Sequence, residues 1–224
     1  MRIQGVTVQH LDQLTITEIY ASIQGESSYA GVPCTFVRLT GCPLRCRWCD
    51  TAYAFKGGSE WTLDAIVNEV RRLGLPLVEL TGGEPLAQAA TPRLAELLIA
   101  DGFDLLCETS GSEDVGVLPC NTHIIMDWKC PDSGMSERNL ESNFDKLKPT
   151  DEIKFVLASR ADFDWALATI LERDLDQRFS ILFSCAWGLV APKDLAAWVL
   201  ERPIRCRMQL QQHKYIWGPR AKGV

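Results

Sequence analysis

The chain has 224 residues, a formal net charge of -6, 46% hydrophobic and 23% charged residues, the profile of one globular domain with a sizeable core. No lysine- or arginine-rich run stands out, which argues against a nucleic-acid surface as the main function, and no stretch nears the roughly 18 apolar residues of a membrane span. The opening MRIQGVTVQHLDQLTI has neither an apolar h-region nor a small-residue cleavage site, so no secretory signal is expected; residues 1–13 read as a short extension of a single domain over 1–224, with 220–224 as a tail.

In chain order, Ile23-Gln24-Gly25-Glu26-Ser27 follows a hydrophobic strand-like segment. Gln24 and Glu26 offer a donor–acceptor edge suited to an amide- or guanidine-like heterocycle. Residues 36–39 (FVRL) read as a strand. Arg38 inside it needs a partner, either an internal salt bridge or a substrate carboxylate held bidentately.

The strand leads into Cys42-Pro-Leu-Arg-Cys46-Arg-Trp-Cys49, three cysteines inside eight residues. Gly41 and Pro43 disfavour a helix here, and Arg45 and Arg47 suit an exposed loop better than a core. Three thiolates this close can hold one face of a [4Fe–4S] cube, which ordinarily takes four cysteines. The fourth iron then stays open, the arrangement in which S-adenosylmethionine is cleaved to start radical chemistry. The rival is structural zinc, which wants four ligands, and no second CxxC or HxxxH is present. Asp50 and Thr51 follow at once; they suit either a turn or the oxygen shell of a hard cation such as Mg²⁺.

Residues 62–73 carry the clearest helical stripe, Leu63, Ile66, Val67, Val70 and Leu73, with Thr62 to cap it and Gly74 to end it. A strand at 77–80 leads to Thr81-Gly82-Gly83-Glu84-Pro85, whose glycines let a ligand approach the backbone or simply make a turn. A helix near 92–101 and a strand at 103–107 precede Glu108-Thr109-Ser110-Gly111, again a site or a polar turn. Further strands are expected at 123–128, 153–157, 179–184 and 206–211, with helices at about 136–147, 161–172 and 192–201. Gln209 to Tyr215 is densely polar, and His213 in it is either a substrate contact or a surface residue. His10 and His123 carry no usable signal.

Strand–helix alternation predicts an α/β fold with a mostly parallel sheet. The cysteine loop, TGGEP and ETSG each follow a strand, so all three converge on the C-terminal strand ends where a barrel-like fold keeps its site. The other six cysteines, at 34, 107, 120, 130, 185 and 206, show no disulfide spacing and read as buried small hydrophobes in a reducing cytoplasm.

These motifs together resemble one family. The cysteine loop with Trp48 is similar to the signature of the radical S-adenosylmethionine superfamily. The IQGE segment, the GVPCTFVRLTGCPLRCRWCDT block, TGGEP, ETSG and QHKY resemble 7-carboxy-7-deazaguanine synthases over about residues 16–219. The resemblance implies a partial, modified (β/α) barrel of the radical type. It implies a ring contraction of 6-carboxy-5,6,7,8-tetrahydropterin to 7-carboxy-7-deazaguanine with loss of ammonia, on the route to 7-deazapurines such as queuosine.

By the same resemblance Cys42, Cys46 and Cys49 hold the [4Fe–4S] cluster and carry catalysis, and Thr51 binds Mg²⁺ together with the substrate carboxylate. Trp48, Asp50, Gly83, Glu84, Ser110, Asp127, Trp128 and Lys129 fall at the S-adenosylmethionine site. Ile23, Gln24, Gly25, Glu26, Arg38, Thr81, His213 and Pro219 fall at the substrate. It further implies a homodimer and a flavodoxin-like reductant, with no nucleic acid or membrane as direct partner.

The sequence departs from the family in four places. Many relatives have glycine where Ser27 stands; a Ser-Pro-Lys segment meets Asp127-Trp128-Lys129 here; a Gln-Pro segment falls near Ser184-Cys185; and relatives commonly end near Pro219, whereas this chain runs on through Arg-Ala-Lys-Gly-Val. Three alternatives stay open on the residues alone. They are a glycyl-radical activating enzyme acting on a protein, a zinc-stabilised binding module, and an electron-transfer protein using Cys130 as fourth ligand.

Overall fold

The computed structural model describes residues 12–202 and 204–224, so His10 and most of the expected N-terminal extension lie outside the described residues. Nine strands form one sheet. In chain order they are β1 (Gln13–Ile23), β2 (Pro33–Leu39), β3 (Ser59–Thr62), β4 (Leu77–Gly82), β5 (Asp104–Thr109), β6 (His123–Asp127), β7 (Glu152–Leu157), β8 (Ser180–Cys185) and β9 (Cys206–Met208). Their order across the sheet is β3-β1-β2-β4-β5-β6-β7-β8-β9. From β2 to β9 every pairing is parallel; β1 pairs antiparallel with both β2 and β3. The edges β3 and β9 do not pair, so the barrel is partial, as expected.

The helices are α1 (Leu63–Leu73), α2 (Thr91–Ala100), α3 (Arg160–Glu172), α4 (Leu175–Arg178), α5 (Pro192–Leu200) and α6 (Gln212–Ile216). α1 follows its sequence signals closely. The Thr62 hydroxyl accepts from Ala65 N–H at 3.2 Å, Gly74 ends the helix at φ 73°, and Leu63, Ile66, Val67 and Val70 are buried. Burying such side chains contributes about 1.5–3 kcal/mol each before entropy is charged.

Two sequence expectations fail. The segment 136–147 is not an α-helix but two short 3₁₀ turns, Ser136–Arg138 and Glu141–Asp145. Its asparagines brace other loops instead: Asn139 bonds the Lys129 backbone in both directions, and buried Asn143 donates to the Gly111 and Glu113 carbonyls while accepting from Val115 N–H. These bonds to backbone 10 to 32 residues away hold the segment in turns. The strand expected at 206–211 stops at Met208; Gln209 N–H still donates to Phe183 O, and the chain then turns so that Gln212 N–H meets Gly25 O. No sequence expectation covered β3, α4 or α6.

Side chains alternate across each strand. On one face Val78, Leu80, Cys107, Met126, Ile153, Phe155 and Phe183 join the helices in the main core. On the other, a smaller apolar layer of Cys34, Phe36, Leu77, Leu106, Ile125 and Leu182 lies beneath a charged layer. Residues 24–32 fold across this second face: Ser28 N–H donates to Glu152, and Tyr29 meets His123 edge-on at 5.1 Å.

A candidate active site at the C-terminal strand ends

One cavity opens at the C-terminal ends of the parallel strands, and the cysteine loop, the TGGEP turn and the ETSG segment all reach it. Cys42, Cys46, Cys49, Trp48, Asp50 and Thr51 line it from the loop after β2. Thr81 and Gly83 come from the end of β4, Ser110 from the end of β5, and Asp127 and Lys129 from the end of β6. Ile23, Gln24, Gly25, Glu26, Arg38, His213 and Pro219 complete the set expected at the substrate.

The loop is held by backbone, which explains its glycines. Gly83 N–H donates to Leu39 O and Glu84 N–H to Gly41 O. A Cβ on Gly83 would sit 1.9 Å from Gly41 O, so only glycine lets this turn lie against the cysteine loop. Burial pushes all three thiols upward from their ordinary range. Among the described residues no three His, Cys, Asp or Glu side chains converge on one ion-sized point. Three thiols from one loop face a shared cavity, which fits a cluster held on three sides; Cys130 also borders this cavity. Cys130, the one candidate fourth ligand, is 1% exposed within the core beneath the loop.

Two residues expected at the cofactor do not line the cavity. Glu84 is fully buried behind the wall, accepting from Leu86 N–H, Thr109 Oγ1 and Ser110 N–H at 2.7–3.0 Å. It ties the TGGEP turn to ETSG. Trp128 turns into the core and packs on Phe144, ring centroids 4.3 Å apart, because its neighbours alternate outward along the chain. Near the other departure Ser184 is buried in the sheet, and Ala186 and Trp187 just beyond it reach the cavity instead. Cys120 departs from the buried-hydrophobe expectation: it is exposed, while Cys34, Cys107 and Cys130 are buried and no cysteine is paired.

Ser27 is a third revealing departure. Its φ of 61° is left-handed, a region where glycine is at ease and serine costs about 1 kcal/mol. The hydroxyl accepts from Tyr29 N–H at 3.1 Å and Ser27 N–H donates to Gln209 Oε1 at 2.7 Å, bonds that hold the strained turn.

A charged layer lines the cavity floor. Lys154 reaches Glu26 at 3.0 Å, Glu108 more closely, and Asp127 at 4.0 Å. Burial opposes charging Lys154, but these carboxylates outweigh it and hold the ammonium well above its usual range. Burial likewise opposes ionisation of Glu26, and Lys154 reverses this so that its carboxyl lies low. Glu79 is the opposite case: burial, then Glu108, raise it well above the carboxylate range, and its carboxyl accepts from the Gln24 amide. Burial raises Asp50 too, yet Lys214 at 2.5 Å pulls it down to about 2. Burial lowers His213, which is therefore neutral at pH 7; a Cβ on Gly25 would meet its Nδ1 at 2.6 Å.

Arg38 already has protein partners. Its Nε donates to Glu18 Oε1 at 2.7 Å and its Nη2 to Tyr20 Oη at 2.8 Å, while Tyr53 Oη donates to the same Glu18 oxygen. Both the salt-bridge and the cavity-facing readings of Arg38 are thus present in one side chain. Sequence reasoning missed Glu79, Lys154, Lys214 and Tyr53. The signal for the first two was available, since each is a charged residue inside an apolar strand, the pattern that drew attention to Arg38.

Residues 36–118 match the model of the radical SAM superfamily. A 7-carboxy-7-deazaguanine synthase of Koribacter versatilis is 46% identical over 94% of this chain and 100% of that protein. One of Chlorobaculum tepidum is 45% identical over 94% and 97%. The crystal structure of QueE from Escherichia coli superposes with a TM-score of 0.74 at 24% identity, over 92% of this chain and 99% of that one, a likeness of fold.

Proposed function

The chain belongs to the 7-carboxy-7-deazaguanine synthase family of radical S-adenosylmethionine enzymes, and on that premise we propose that it contracts 6-carboxy-5,6,7,8-tetrahydropterin to 7-carboxy-7-deazaguanine with release of ammonia. The observation that carries this reading is the convergence of the cysteine loop, the IQGE segment and the QHKY segment on one cavity, although they are far apart in sequence. A glycyl-radical activating enzyme would need a groove for a protein; here Gln24, Glu26, Glu79, Glu108, Asp127 and Lys154 give the cavity a polar and charged lining that suits a small heterocycle.

Cys42, Cys46 and Cys49 would hold the [4Fe–4S] cluster on three sides, and S-adenosylmethionine would lie along Trp48, Asp50, Gly83, Ser110, Asp127 and Lys129. When bound, the cluster and S-adenosylmethionine would supply radical chemistry at this cavity. The protein's own side chains bind, orient and keep out water. Gln24, Gly25 and Glu26 would read the hydrogen-bonding edge of the pterin, with Ile23 and Thr81 against the ring and neutral His213 and Pro219 closing over it. Arg38 would face the substrate carboxylate. Thr51 donates to Asp50 Oδ1 at 3.0 Å, and this oxygen pair suits Mg²⁺, which uses few protein ligands and keeps places for water and substrate. A homodimer, a flavodoxin-like reductant and a cytoplasmic setting belong to the same proposal.

The test is anaerobic. The reconstituted protein receives S-adenosylmethionine, Mg²⁺, a low-potential reductant and 6-carboxy-5,6,7,8-tetrahydropterin, and mass spectrometry looks for 7-carboxy-7-deazaguanine. Its formation is the expected result; cofactor cleavage without it would remove the substrate assignment. For Thr51→Val we expect an intact cluster and a blunted Mg²⁺ response, and an unchanged response would take Thr51 out of the metal site.

A further inference from the structure

The segment after the last helix runs along the cavity mouth, with Ala221, Lys222, Gly223 and Val224 all on its lining. Lys222 is the residue in it that carries chemistry. Its Nζ stands 4.2 Å from the centroid of the Tyr53 ring, and the Arg38 guanidinium carbon stands 6.0 Å from the same centroid. Two cations therefore approach one aromatic ring, two residues beyond Thr51 in the chain. Like charges gather on a ring only with help, since each gains about 0.5–2 kcal/mol from the ring at most and repels the other.

The compensating anion at this corner is Glu18. Its Oε1 takes both Arg38 Nε and Tyr53 Oη. The tail approaches the other oxygen, since a Cβ built on Gly223 would lie 3.7 Å from Oε2. Among the described residues Lys222 makes no ion pair within 4.0 Å, while Glu26 is engaged by Lys154 and Asp50 by Lys214. At this corner of the rim Arg38 is paired with Glu18, whereas Lys222 is left without a carboxylate partner among the described residues. An ammonium so placed can take an anion entering from the mouth.

We infer that Lys222 is a substrate-positioning residue, forming with Arg38 a pair of cations at Tyr53 that holds the carboxylate of the incoming substrate beside Thr51. The inference rests on the carboxylated-pterin reading above and extends it to a residue that lies past the end of the resemblance. Two cations meeting one carboxylate fix its direction as well as its place, which one guanidinium tied to Glu18 and Tyr20 does not.

The experiment compares wild type, Lys222→Met and Lys222→Arg as reconstituted holoenzyme. It measures KM and kcat for 6-carboxy-5,6,7,8-tetrahydropterin, and affinity for tetrahydropterin without the carboxylate as a competitor. Lys222→Met is expected to raise KM about five- to tenfold with kcat little changed, and Lys222→Arg to restore most of it. Affinity for the carboxylate-free competitor should not move. An unchanged KM in Lys222→Met overturns the inference. Equal weakening of both ligands also overturns it, because the tail would then be a cover without charge recognition. If wild type turns over none of the carboxylated pterin, the substrate reading itself falls, an outcome separate from an indifferent Lys222→Met in an active enzyme.

Discussion

The two faces of the sheet are built from alternate residues of the same strands, yet they obey opposite rules. On β7, Ile153, Phe155 and Leu157 face the helices and are fully buried among apolar neighbours, while Lys154 between them faces the cavity and is balanced by Glu26, Glu108 and Asp127. On β4, Val78 and Leu80 face the helices and Glu79 and Thr81 the cavity. The helix side stabilises by removing apolar area from water. The cavity side holds charges out of water, which costs stability unless each is paired, and keeps them where a polar ligand can use them.

The widest separation of the two faces comes from Cys46→Ala. It should abolish the cluster and all product formation, read as loss of bound iron and of the broad absorbance near 400 nm, while leaving the helix-side core untouched. A chain with full iron content and normal turnover would detach Cys46 from the site.

Next comes a matched pair on adjacent residues. Phe155→Ala empties part of the core and should cost about 3–5 kcal/mol in denaturant unfolding. Lys154→Met strands carboxylates without their cation and should cost a similar ~3–5 kcal/mol near neutral pH. Their pH dependence tells them apart. Carboxylates left buried and unpaired have folded values above their unfolded ones, so the Lys154→Met deficit grows as pH rises past about 4.5 and shrinks as pH falls towards it. The Phe155→Ala deficit should not follow pH in this way. Parallel profiles for the two variants would erase the distinction between the faces.

A smaller effect is expected from Arg38→Ala, which should raise KM for the carboxylated pterin by about ten- to a hundredfold and leave S-adenosylmethionine affinity intact. Unaltered substrate binding would reduce Arg38 to its bonds with Glu18 and Tyr20. The mildest change is Glu79→Gln. The folded carboxyl is held above its unfolded value, so above about pH 4.5 the unfolded chain releases a proton that the folded one keeps, and stability falls with rising pH. The glutamine variant lacks this slope and should be modestly more stable than wild type at pH 7. A variant no more stable than wild type at pH 7, with the same slope, would mean that Glu79 is ionised.

The legible parts of this protein are those whose cause is local. The cysteine loop is recognisable because its three cysteines lie within eight residues, and α1 because its stripe, its Thr62 cap and its Gly74 stop lie within thirteen. Strand–helix alternation was enough for the sheet and for the end of it that carries the site. The tertiary structure alone decided the rest. Whether 136–147 is helical depended on Asn143 reaching Gly111 and Glu113 some thirty residues away, and whether Trp128 meets a ligand depended on Phe144 filling the core beside it. The charged floor joins Lys154 to Glu26 across 128 positions, and Gln211 to Glu26 across 185. Pairings of that range leave no periodicity in the sequence, because what selects them is the shared low-dielectric space into which the folded strands turn alternate side chains.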